Sequence, residues 1–155
     1  MLEFVAQEMK EFWNQPAVAK TTLMLDYENL PVELFPEKAA DQRSVRVDEA
    51  LIIDALVVRQ QRGLSEVEVA VRHAFDQFFA HLERFDQYVE SGLVRYADFH
   101  AYLRYWLGIL ANADSGLKSE RLVSAVREFL VAFEYRGVLR LFDRYKAQMA
   151  AEGRR

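Results

Sequence analysis

The stretch Ser65–Gly92, SEVEVAVRHAFDQFFAHLERFDQYVESG, constrains the fold more than any other part of the chain. Val67, Val71, Ala74, Phe75, Phe78, Leu82, Phe85 and Val89 recur at three- and four-residue spacing. Wound at about 100° per residue, they share an arc roughly 100° wide, the apolar stripe of a core-facing helix. Arg72, Asp76, Glu83, Gln87 and Glu90 fall outside it. Both ends are marked. Ser65 with Glu68 forms a capping box, each side chain satisfying an amide that the first turn leaves free. Gly92 supplies the left-handed residue that ends a helix without steric cost. At about 1.5 Å per residue, a helix over 66–91 spans roughly 40 Å. A rod of that length, apolar on one face, needs other helices to cover it.

The chain can supply that cover. Its 155 residues suffice for one domain with a buried core, and 52% are hydrophobic, 11 of them phenylalanine. No apolar run approaches the roughly 18 residues of a membrane span, and the opening residues lack the pattern of a leader. Zero cysteines exclude disulfides and thiolate metal sites and fit a reducing, cytoplasmic setting. The net charge of −4 argues against a nucleic-acid binder. That charge is uneven. Residues 1–58 carry 5 Lys/Arg against 11 Asp/Glu (−6), 59–116 carry 6 against 8 (−2), and 117–155 carry 9 against 5 (+4). An acidic front and a basic tail can attract each other within one chain or between two.

Leu2, Val5, Met9, Phe12 and Trp13 make an amphipathic first helix that stops before Pro16. It either docks on the core or lies on a partner or membrane through residues 2–13; its acidic polar face (Glu3, Glu8, Glu11) has the wrong sign for anionic lipid. Pro16 suits the first turn of a second helix over 16–28, with Val18, Thr22 and Leu25 inward. Residues 29–47 lose the periodicity and read as an extended loop, with alternation at Val32–Leu34 and Val45–Val47 that allows a short two-stranded pairing. Asp48 caps a third helix with the apolar body 50–58, where Asp54 is a candidate buried polar group that must reach solvent or find a partner.

After the central helix, DFHAYLRYWLGILAN gives another over 98–111, with apolar residues over an arc of about 160°. It should be buried on most sides, in the bundle or at a subunit interface. Tyr102, Arg104, Tyr105 and Trp106 have the composition of an interface hot spot. With His100, the three aromatic residues are also candidates to line a pocket. Turn chemistry follows at 112–116, then an amphipathic helix over 118–136, a kink or break at Gly137, a resumed stripe from Val138 to Met149, and a frayed tail at 151–155.

Chemistry-bearing patterns are scarce. His73 and His81 are eight residues apart on one helix, about 12 Å along its axis, too far to share a metal. No HExxH, EF-hand, P-loop, GxGxxG or GxSxG occurs, so no metal, cofactor or catalytic residue is assigned and no positive sign of an enzyme is present.

FFAHLERFDQYVESGLV, then AYLRYWLGIL, then FEYRGVLRLFDRY resembles a loosely defined bacterial family of small helical domains of unknown function, over about residues 64–146. The resemblance implies a bacterial all-helical module and no particular activity. Some members of such families carry an N-terminal membrane segment, which this sequence does not show. The reading is thus an all-α bundle of about six helices in one domain: N-terminal helices 1–28, loop 29–47, main bundle 48–150. The function expected is a non-enzymatic interaction or regulatory module that self-associates or binds a protein partner; the alternative is a bundle holding a small molecule in an aromatic-lined pocket.

Overall fold

The computed structural model describes residues 2–58, 63–112 and 116–154. The elements run α1 (Leu2–Trp13), α2 (Pro16–Asp26), β1 (Leu30–Glu33), β2 (Ser44–Val47), α3 (Glu49–Leu56), α4 (Glu66–Glu90), α5 (Tyr96–Ala111), α6 (Glu120–Ala132) and α7 (Arg136–Gly153). A 3₁₀ turn at Ala40–Gln42 joins the strands. The described residues thus form an all-α bundle with one small antiparallel hairpin.

α4 is the axis. Ser65 Oγ accepts from the Glu68 amide at 3.1 Å and Glu68 returns a bond to the Ser65 amide at 3.0 Å, the reciprocal cap the sequence predicts. At the other end Gly92 has φ +78°; its N–H reaches Val89 O and that of Leu93 reaches Tyr88 O, a Schellman cap. Packed against α2, α3 and α7, α4 buries more than its sequence stripe: Phe79 and Asp86 are both fully buried beside Phe75 and Phe78.

The hairpin has Val32 opposite Val45 and Leu30 opposite Val47. The segment read mainly as loop therefore seats Val32, Leu34, Phe35 and Val47 in the core. α2 stops at Asp26, two residues before the expected end, and Thr22 turns its hydroxyl back to Val18 O. α3 ends at Leu56 and shows the core one side, Ile52, Ala55 and Leu56. Asp54, the candidate buried polar group, lies on the opposite side and is exposed, so of the two alternatives it takes solvent.

Two further expectations are corrected. The break between the last helices falls at 133–135: Glu134 adopts φ +59°, and Gly137 lies inside α7. The tail stays helical to Gly153 instead of fraying at 151. Of the turn expected at 112–116, residues 113–115 lie outside the described residues, as does Arg155 of the tail. The acidic front meets the basic tail where Lys118 pairs with Glu28 at 3.4 Å. Arg140 and Arg144 pair instead with Asp86 and Glu90 of α4.

Candidate interaction surface

α5 contacts α1, α2, α6 and α7 and is buried on most sides, with one side left open. Phe99, Leu103, Leu107 and Leu110 point into the core, Phe99 meeting Phe85 of α4 at 4.9 Å between ring centres. Tyr102 and Tyr105 on the outward side are 46% and 45% exposed. The surplus of apolar residues on α5 therefore faces outward.

These side chains belong to a larger aromatic surface. Trp106, half-buried, packs against Trp13 of α1 at 5.8 Å and meets Tyr105 edge-on at 4.8 Å. The Tyr105 hydroxyl donates to the Asp26 carboxylate at the end of α2, a bond that raises the phenol's pKa. Leu23 in the last turn of α2 and Tyr27, the extended residue just after Asp26, are 38% and 51% exposed. Trp13, Trp106 and Tyr105 are thus joined by ring contacts, and Tyr105 by its hydrogen bond to the end of α2, where Leu23 and Tyr27 are exposed. With Tyr102 one turn back on α5, these residues make up an aromatic face drawn from α1, α2 and α5. Its chemistry is that of contact: flat rings, phenolic hydroxyls and a single engaged carboxylate.

The other two α5 candidates lie elsewhere. His100 is buried on the α7 side, its Nδ1 2.8 Å from the Tyr96 hydroxyl and its Nε2 3.3 Å from a Glu152 carboxylate oxygen. With the proton on Nε2, Tyr96 donates to Nδ1 and the ring faces Glu152 with its N–H. Burial holds the imidazole below its ordinary pKa; Glu152 opposes that and Arg104 adds to it. Burial also raises the Tyr96 phenol well above its usual range. Arg104 therefore stands on the His100 flank, about 100° around the helix from Tyr105. His100 and the three outward aromatic residues do not line one cavity.

Sequence reasoning missed a buried charge cluster between α4 and α7. Asp86 Oδ2 accepts from Arg140 Nε at 3.0 Å and Nη2 at 2.7 Å, while Glu83 Oε1 accepts from the Val138 amide at 2.8 Å. The signal available was Arg140, which fits no apolar phase; its acceptor on another helix was not legible. Elsewhere, α3 and α6 flank an open groove of about 930 Å³ floored by Ile53, Leu56, Ala125 and Val131. Among the described residues no three His, Cys, Asp or Glu side chains gather as a metal site. No known family model, curated protein or solved structure matches this chain.

Proposed function

We propose that this chain is a non-enzymatic interaction module that self-associates through the aromatic face of α1, α2 and α5. The observation that carries the reading is the half-exposure of large side chains on three adjoining helices. Aromatic side chains of 150–250 Å² leave roughly 100 Å² apiece when half exposed. Tyr27, Tyr102 and Tyr105, with smaller shares from Trp13, Leu23 and Trp106, supply roughly half of the ~800 Å² that each partner contributes to a standard interface. Tyrosine and tryptophan are also the residues in which binding energy concentrates. A second copy brings the same surface to a two-fold contact, in which the Asp26-bound tyrosines need no new charge partner. A cytoplasmic setting and the bacterial origin implied by the sequence resemblance belong to the same proposal; no helix among the described residues is long and apolar enough to cross a membrane.

Light scattering on the eluting protein at high micromolar concentration tests it. The wild type is expected as a dimer and Tyr102→Glu as a monomer with unchanged helicity, since Tyr102 is half exposed one turn from Trp106 and has no hydrogen bond or ring contact among the described residues for the substitution to break. Arg104→Glu, on the other flank, should leave the dimer intact. A wild-type monomer with no retained partner sinks the proposal.

A further inference from the structure

A second concavity lies away from the aromatic face, between the start of α2, the residue following β1 and one side of α4. It is a half-open hollow of about 310 Å³ with His73 and Gln77 exposed at its rim, at the lower end of the size range of small-molecule sites. Its polar lining is Gln15, Lys20, His73, Gln77 and His81, and the remainder is Pro16, Ala17, Leu34, Ala70 and Ala74. In a chain of net charge −4, this lining holds no carboxylate.

The arrangement follows from helix geometry. His73, Gln77 and His81 repeat at four-residue spacing and form one column along α4. Ala70 and Ala74 beside them, with Ala17 opposite, are too small to fill the gap between helices. Lys20, half-buried on α2, has no carboxylate partner among the described residues. The cavity also opens onto the first turn of α2, an 11-residue helix whose N-cap, Gln15, makes no side-chain cap. The Gln15 amide turns back to Glu11 O instead, at 3.4 Å. Pro16 at the first position of α2 has no N–H, and the first-turn amides that follow it have no intrahelical acceptor and lie at the positive end of the helix. Lysine, two imidazoles and two carboxamides thus line one concavity that has no carboxylate in its own lining, the nearest being Glu8 and Glu11 in the crevice that adjoins it at Gln15 and His81.

We propose that this cavity binds a small soluble molecule bearing phosphate-type oxyanions. Lys20 supplies the fixed charge, and Gln15, Gln77 and the imidazoles donate hydrogen bonds. The histidines stand about 12 Å apart along α4, so one phosphate does not reach both. The ligand is therefore elongated, with at least two anionic groups. His81 is held below its ordinary pKa by burial and by Arg84. The charged groups around it are Arg84 and His73 on its own helix, Glu8 and Glu11 of α1 in the adjoining crevice, and Lys20 of α2. An anion bound beside it draws a proton onto the ring.

The test is an imidazole NMR titration at constant ionic strength, comparing chloride, inorganic phosphate and tripolyphosphate. Tripolyphosphate should shift His73 and His81 saturably at millimolar concentration or below, more tightly than phosphate, with His100 unmoved. Lys20→Glu, with its helical spectrum checked against the wild type, should weaken binding at least tenfold. Equal shifts at all three histidines, no saturation, or unweakened binding by Lys20→Glu overturns the proposal. So does retention on phosphatidic-acid vesicles without a response to tripolyphosphate, which assigns the site to a lipid surface.

Discussion

Asp86 and Gly137 show what single residues do at the α4–α7 seam. Asp86 is fully buried, whereas the side chains of Arg140 and Arg144 remain 48% and 35% exposed. Removing one member of a buried pair strands the other, and the penalty depends on whether the survivor can rehydrate. Asp86→Ala leaves arginines that can turn to water and should cost about 2 kcal/mol, whereas Arg140→Ala leaves a buried carboxylate without its donors and should cost about 3 kcal/mol. Urea unfolding of the two variants gives the order directly; the reverse order would show that Asp86 finds another donor. At Gly137 an added Cβ would stand 2.6 Å from Glu83 Oε2 and 3.0 Å from Asp86 Oδ2. Glycine to alanine within a helix ordinarily gains up to about 1 kcal/mol. Here Glu83 would have to leave the Val138 amide, and Asp86 is pinned by Arg140. Gly137→Ala should instead destabilise by about 1–2 kcal/mol, and an alanine variant with a raised unfolding midpoint would refute the close approach.

At the scale of elements, the same helix ending occurs twice with different residues. α4 closes with Gly92 in the left-handed region. α6 closes with the same two bonds, Glu134 N–H to Val131 O and Tyr135 N–H to Leu130 O, but the left-handed residue is Glu134. A side chain there costs roughly 1 kcal/mol relative to glycine, and the Glu134–Arg136 pair, 76% exposed on both sides, offsets little of it. Glu134→Gly should therefore stabilise the protein by about 1 kcal/mol, read as a higher thermal midpoint; a lower one means that side chain has another structural role. This is also why the stop signal was misread. Glycine marks a helix end when it supplies positive φ, as at 92, but at 137 it makes room for a carboxylate from another helix. The capping box at Ser65 was legible because both partners lie within four residues.

Across the whole molecule, pH reaches the fold through two histidines. His100, faced by Tyr96 and Arg104 on α5 and by Tyr145 and Glu152 on α7, and His81 are each held below the ordinary value of 6.5, first of all by burial. As pH falls below 6.5 the unfolded chain takes up these protons before the folded one does. Stability therefore declines through that window and is level above it. Asp98, whose carboxyl is lowered by Arg95, acts only below 3.8 and does not contribute there. In phosphate-free buffer the thermal midpoint should drop between about pH 7 and about pH 5.5, and His100→Gln should flatten the slope. An equal slope in that variant would place the effect elsewhere.

The sequence by itself determined the length and caps of α4, the helical class, the hairpin alternation at Val32 and Val45, and the absence of disulfides and thiolate sites. These rest on periodicity and on partners a few residues apart. Only the tertiary structure decided that Tyr102 and Tyr105 face outward while His100 faces α7. It also decided that Asp86 is buried under Arg140, that Asp54 reaches solvent, and that His73, His81 and Lys20 share a cavity. The reason is geometric: a helix fixes which residues share a face, but the neighbours packed against each face come from distant parts of the chain.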